Sequence, residues 1–408
     1  MDRRVSFRRM VALVGLLTAV PALFLVNPAG AVPTYQVHKL VSDILGFADN
    51  YDPNLTNPWG ISFSATSPFW ISDNRTGVAT LYNGSGQPFP VGSPLIITVP
   101  PPAGGSSPSA PTGQVYNGGS GFEVAPGQPA RFIFATEDGT ISGWNPTANP
   151  TNAILKVDNS ASAVYKGLAI GNNGTGDFLY ATNFNAGKID VFDSSFTPTT
   201  LAGSFTDPTM PSGFAPFNIQ NLLGNLYVTY AKQNAAGHDD VPGPGNGFVD
   251  VFDLNGNLVR RLISNGALNS PWGLALAPSN FGDFGNALLV GNFGDGLINA
   301  FDPGTGAFLG QIQDDKCNPI VIEGLWGLKF GNGGNGGDPD TLYFTAGIPG
   351  PPPGAVEDHG LFGSIQPVQS GPCPPVPIPT LTEWGLVVMG VFLGLSAIWM
   401  IRKRKTAI

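Results

Sequence analysis

The chain has 408 residues, a formal net charge of −9 and 42% hydrophobic residues, with 56 glycines and 39 prolines. Setting aside residues 1–31 (four Arg, one Asp) and residues 386–408 (four basic residues) leaves −16 on the stretch between, which excludes nucleic acid and anionic membranes as electrostatic partners. The hydrophobic content excludes a disordered chain, and this much Gly and Pro beside it points to many short strands joined by turns.

Arg3, Arg4, Arg8 and Arg9 precede an apolar stretch over residues 10–26, followed by Ala29-Gly30-Ala31. A charged start, an apolar middle and an A-x-A end predict a signal peptide over residues 1–31, cleaved between Ala31 and Val32. Residues 32–366 then carry a repeat. Its second half reads GKIDVFD at Gly187, GFVDVFD at Gly247 and GLINAFD at Gly296, with weaker copies at Gly77, Gly139 and Gly360. The aligned positions Tyr82, Trp144, Phe192, Phe252, Phe301 and Ile365 lie 48 to 64 residues apart. Ahead of each copy stands a run rich in aromatic and β-branched residues that stops at Gly, Asn or Asp, as strands do. These are FWISDN at Phe69, FIFATED at Phe132, FLYATNF at Phe178, LYVTY at Leu226, LLVGNF at Leu288 and LYFTA at Leu342. Each follows a start at Trp59-Gly60, Gly121-Phe122, Gly167-Leu168, Phe217-Asn218, Trp272-Gly273 or Trp326-Gly327.

Fourth runs are expected at Leu95, Ala153, Leu201, Leu258 and Phe308. Four strands repeated six times predict an all-β chain folded as a six-bladed β-propeller. The sixth unit lacks a fourth run, and residues 37–42 (VHKLVS), similar to VRRLIS at Val259, are expected to supply it and close the ring. A double β-sandwich of the same strand count is the architectural alternative. Residues 100–121 read as a polar Gly/Ser/Pro insertion, and residues 367–377 as a stiff proline-rich linker. Cys317 and Cys373 either pair in an oxidising compartment, pinning that linker, or stay as two thiols.

Residues 378–408 read as a sorting signal: IPTLTEWG, an uncharged apolar run, then RKRK from Arg402. The apolar part, residues 385–401, predicts a transmembrane helix, with the basic end on the cytoplasmic side. Ile378, Pro379, Thr380, Leu381, Trp384 and Gly385 match the IPTL-type C-terminal signals of Gram-negative bacteria, a family this tail resembles. The resemblance implies an exosortase-like sorting enzyme as partner, a helix in the inner membrane before processing, and a destination in the cell envelope, at the cell surface or outside. NPWGIS at Asn57, SPWGLAL at Ser270, NFGDGLINAFD at Asn292 and EDHGLFG at Glu357 resemble an uncharacterised family of secreted bacterial β-propellers, which implies a fold and no activity.

Loops before the innermost strands and loops between second and third strands share one face of a propeller. That face gathers Asn74, Glu137, Asn183, Asn292, Glu357 and His359 as ligand-binding candidates. Six-bladed lactonase-like hydrolases use such a ring of amides and carboxylates to hold calcium, so Ca²⁺ is the cofactor to test, with Glu137, Asn183 and Asn292 as metal candidates. Asn and Asp beside Gly are equally the residues that turns prefer without any ligand. The sequence holds no nucleophile elbow, phosphate loop or zinc spacing. The resulting expectation is a non-catalytic module that binds a polysaccharide or envelope protein; the alternative is a calcium-dependent lactonase-like hydrolase.

Overall fold

Five of the six expected starts open the innermost strand of an antiparallel sheet, and six such sheets succeed one another along the chain. The computed structural model describes residues 34–351 and 354–368. The protein is a six-bladed β-propeller. Blade one comprises Pro58–Ser62, Phe69–Asp73, Val78–Tyr82 and Ile97–Thr98. Blade two comprises Pro111–Tyr116, Phe132–Thr136, Thr140–Trp144 and Ile154–Asp158. Blade three comprises Tyr165–Asn172, Asp177–Asn183, Lys188–Asp193 and Pro198–Thr199. Blade four comprises Phe214–Leu222, Asn225–Lys232, Phe248–Phe252 and Leu258–Ser264. Blade five comprises Pro271–Leu276, Leu288–Asn292, Ile298–Phe301 and Phe308–Gln311.

Blade six comprises Leu325–Phe330, Leu342–Ala346 and Leu361–Val368, and its fourth strand is Thr34–Ser42. That strand pairs antiparallel with Leu361–Val368, from Thr34 opposite Val368 to Ser42 opposite Leu361. The expected closure by the N-terminal strand is therefore present. It covers a sheet edge that would otherwise present unpaired N–H and C=O groups.

The second strands carry apolar residues on both faces because neighbouring blades cover both. Phe69–Asp73, Phe132–Thr136, Leu288–Asn292 and Leu342–Ala346 are buried throughout, which is why they read as continuous runs instead of alternating ones. Apolar seams fill the gap between every pair of neighbouring blades. Trp70 packs on Phe132 between blades one and two, Leu168 joins Ile133 between two and three, and Tyr180 joins Ile219 between three and four. Val249 joins Leu274, Leu289 joins Leu325, and Phe362 joins Ile71 in the remaining three.

Two expectations need correcting. Residues 100–121 are not wholly an insertion, because Pro111–Tyr116 is the innermost strand of blade two. It carries Thr112-Gly113 where four of the other five blades carry Trp or Phe, and Pro and Gly around it mask the strand. Gly121-Phe122 instead leads into a small outer hairpin, Glu123–Ala125 with Gln128–Pro129. In blade three the fourth strand is Pro198–Thr199 and not the run at Leu201. That run crosses toward blade four, where the Gly203 amide bonds Asn255 O at 2.8 Å and Phe205 packs on Phe252.

Among the described residues no helix is long and apolar enough to cross a membrane. The expected signal peptide and tail helix lie outside the described residues, as do residues 369–377 of the expected linker, Cys373 among them, whereas Pro367 and Val368 belong to the strand Leu361–Val368; Cys317 itself is not a free thiol.

The innermost strands approach one another so closely that a single residue position decides the ring. A Cβ on Gly60 would come 2.3 Å from Thr112 O, one on Gly113 2.3 Å from Leu168 N, and one on Gly167 2.5 Å from Asn218 Oδ1. On Gly273 it would come 2.7 Å from Trp326 O, and on Gly327 2.7 Å from Trp59 O. Gly113→Ala is expected to cost about 3 kcal/mol, since backbone and not a movable side chain would have to give way. Guanidinium denaturation checks this against Gly176→Ala, whose new Cβ would meet nothing closer than 3.6 Å.

Candidate functional site

In all six blades the innermost strand slips register at the residue before that glycine, or before Asn218 in blade four. Such bulges re-aim a side chain out of the strand's alternation. The residues at the slip are Trp59, Thr112, Lys166, Phe217, Trp272 and Trp326. In blades three and six a threonine of the second strand answers the displaced amide and ties it to the next blade. Gly167 N donates to Thr182 Oγ1 at 2.7 Å, which donates to Phe217 O at 3.3 Å. Gly327 N donates to Thr345 Oγ1 at 2.8 Å, which donates to Trp59 O at 2.6 Å.

Four of the six slip residues are aromatic, and they meet on the axis. The Trp59 and Trp326 rings stack with centroids 3.4 Å apart, and Trp272 meets them edge-on at 6.0 and 5.8 Å. Phe217 and Phe184 complete the cluster, and all five rings are buried. The passage along the axis is thus plugged. On one side of the plug lies a cavity of about 370 Å³ among the innermost strands, and on the other an open cup of about 450 Å³.

Lys166, at the slip position of blade three, forms the cup's floor. Only 2% of its side chain is exposed; its ammonium pairs with Glu137 and lies 3.9 Å from Asp239. It also sits 5.1 Å from the centre of the Trp59 ring and 5.9 Å from that of Phe184, within reach of cation–π attraction.

From there a continuous line of hydrogen bonds runs round the cup. Asn74 Nδ2 donates to Glu137 Oε2 at 2.8 Å, and Asn57 Nδ2 donates to Asn74 Oδ1 at 3.3 Å and to Glu357 Oε1 at 3.0 Å. Trp326 Nε1 donates to Asn57 Oδ1 at 3.1 Å. On the far side His238 Nδ1 and Asp239 Oδ1 are 2.7 Å apart. The backbone holds these groups in place: Asn74 N bonds Asn57 O, Glu137 N bonds Ala110 O, and Val241 N bonds Lys232 O. Half-buried Phe293 stacks on Trp326 at 4.0 Å and gives the wall its apolar face.

Burial pushes the Glu357 carboxyl up to about 7, and the charge of Glu137 adds to the rise against the pull of the Asn57 amide and Lys166. Burial likewise raises Asp240, against the Ser270 hydroxyl and Lys166. Glu357 also sits at a positive φ of 74°. Asn57 does too, at 49°, but so does Ser270 at 46°, its counterpart before the other proline-tryptophan start, so that feature belongs to the turn. The strain at Glu357 is its own, and strain of this kind gathers at functional sites.

Of the residues expected from sequence, Asn74, Glu137 and Glu357 come together in the cup. Asn183 does not line it: its Oδ1 accepts from Ala186 N at 3.1 Å and its Nδ2 donates to Asp190 at 2.9 Å, so it shapes its own turn. Asn292 Nδ2 donates to Ala267 O at 2.8 Å and braces the loop before blade five. His359 Nδ1 lies 3.0 Å from Asp43 Oδ2, tying blade six to the loop after the closing strand. The trio Glu137, Asn183 and Asn292 therefore does not converge on one ion. A different group, Glu137, His238 and Asp239, brings its ligand atoms within 4.8 Å of one another, but the Lys166 ammonium already lies against its two carboxylates.

Sequence reasoning missed Asn57, Lys166, Asp239 and Asp240. The signal for Lys166 was its place in YKG, aligned with the tryptophan of PWG.

Residues 376–404 match the IPTL-CTERM motif. The chain is 35% identical over 357 residues to the uncharacterized protein R648 of Acanthamoeba polyphaga mimivirus, covering 84% of this chain and 83% of that protein. The chain belongs to that family. A second uncharacterized protein of the same virus, L690, is 35% identical over 317 residues, covering 74% of this chain and 81% of the relative. These members of the R648 family are viral, whereas the sequence resemblance pointed to bacterial propellers. Among solved structures, a streptogramin B lyase is similar at 13% identity and a TM-score of 0.46, covering 82% of this chain and 98% of that one. A glucose dehydrogenase is similar at 11% identity and a TM-score of 0.46, covering 82% of this chain and all of the other. Both are too distant to say anything of substrate or reaction.

A carboxyl whose folded pKa lies above its ordinary value favours the fold when protonated, so Glu357 makes stability fall as pH rises from about 4.5 to about 7. Glu357→Gln is expected to match the wild type near pH 4 and to exceed it by about 1–3 kcal/mol near pH 8. Denaturant titrations across that range check the sign.

Proposed function

We propose that this member of the R648 family is exported, sorted through its IPTL tail to the cell surface, and binds a polysaccharide or envelope protein in the cup without catalysing a reaction. The observation that carries this reading is the plugged axis with a lysine ammonium at its head. Where a metal-dependent hydrolase needs an open cation, this cup offers a covalently attached one that is already paired. What remains for a ligand is an apolar ring face at Phe293 and half-buried carboxyl groups at Glu357 and Asp240, a mixture that suits hydroxyl-rich or amine-bearing partners.

On this reading residues 1–31 are removed on export, and the tail helix holds the chain in the inner membrane of a Gram-negative cell. An exosortase-like enzyme then reads residues 378–385. The closing strand Thr34–Ser42 lies inside the proposed mature chain, so processing at either end leaves the ring intact.

Two measurements test the proposal. Mass spectrometry of the exported protein is expected to show a start near Val32 and loss of the apolar tail; an intact C-terminus in the membrane fraction would point to a plain anchor. Glycan arrays and envelope pull-downs with the exported protein are expected to yield a partner whose affinity falls about tenfold or more in Asp240→Asn and Glu357→Gln. A partner whose binding ignores both substitutions would place the binding surface elsewhere.

A further inference from the structure

We infer that the Lys166 ammonium is a built-in cation standing in a divalent-metal position, and that removing it would turn the cup into a metal site. The inference concerns what the cup excludes, and it holds whichever partner the cup binds.

Ligands of one calcium ion lie about 2.3–2.6 Å from it, so two of them on opposite sides are at most about 5 Å apart. The ligand atoms of Glu137, His238 and Asp239 lie within 4.8 Å of one another, the span one such ion would bridge. Two blades build this group: Glu137 directly follows the second strand of blade two, and His238 and Asp239 come from the loop after Asn225–Lys232 in blade four. Blade three lies between them and sends in Lys166, whose Nζ pairs with Glu137 and lies 3.9 Å from Asp239.

The lysine does not arrive as a solvated surface chain. Its side chain is 98% buried, enters at the register slip that aims tryptophans inward in blades one, five and six, and rests against the Trp59 and Phe184 rings. A single positive charge fixed in this way neutralises Glu137, cannot be stripped by a chelator, and offers no open coordination position to polarise a substrate oxygen. A divalent ion would have to displace it or face it at contact distance, and like charges held that close repel strongly at low dielectric.

Terbium luminescence tests this, because Trp59 lies beside the position and would sensitise an ion bound there. The full-length wild type is expected to show no saturable tryptophan-sensitised emission, and its melting temperature is expected to be the same in excess EDTA and in millimolar calcium. Lys166→Met and Lys166→Gln are each expected to acquire a saturable signal, with a dissociation constant on the order of 10⁻⁴ to 10⁻³ M for calcium competing it away. Adding Glu137→Gln to either should abolish it. A saturable signal in the wild type that Glu137→Gln removes would overturn the inference, since the ammonium would then block nothing. So would absence of signal in both variants when circular dichroism shows them folded. Should neither variant fold, the wild-type arm decides: a calcium-dependent melting temperature refutes the inference and a calcium-independent one upholds it.

Discussion

The close approach of six innermost strands around one axis is the constraint on which the rest of the structure depends. Blades meet at a spacing that leaves no room for a Cβ at Gly60, Gly113, Gly167, Gly273 or Gly327. In blade four Asn218 takes the glycine's place, and its Nδ2 donates to Trp272 O at 2.7 Å, so the side chain itself becomes the link to the next blade. The glycine allows the approach, and the register slip beside it frees the preceding residue from the strand's alternation. Five of the six residues, the four aromatics and Lys166, thereby meet at the centre and set its chemistry.

With four aromatic rings the centre closes instead of opening as a channel. The one charged member, Lys166, is buried at the plug's upper surface, where a lone ammonium would be expensive to desolvate. Glu137, Asp239 and the Trp59 face offset that cost. The remaining carboxyls, Glu357 and Asp240, receive less compensation, and burial raises both. The cup is therefore a place where a ligand bringing donors or positive charge finds acceptors that the protein itself leaves poorly served.

Much of the fold was legible in the sequence. The aromatic-Asp endings and the runs before them recur because every blade must bury its second and third strands on both faces, and the likeness of VHKLVS to VRRLIS carried the closing strand. Blade two escaped because Pro111–Tyr116 carries a Thr-Gly pair where four of the other five blades carry a Trp or Phe, so no aromatic residue marked the strand. Half of the candidate site was legible too. Residues ending second strands were rightly assigned to one face, but Asn183 and Asn292 turn back to brace their own loops. A run that ends in Asn does not say whether the amide points outward or home. Lys166 was hidden for another reason: it lies in a strand, not a loop, and only the register slip gives it to the cup.

On the reading proposed above, the Lys166 ammonium and not a metal ion is the cation at the head of the axis. A crystal structure of the wild type grown in millimolar calcium tests it most directly. Lys166 Nζ is expected in contact with Glu137, with no anomalous density between Glu137, His238 and Asp239. An ion bound by those three groups, with Lys166 turned away from them, would contradict it.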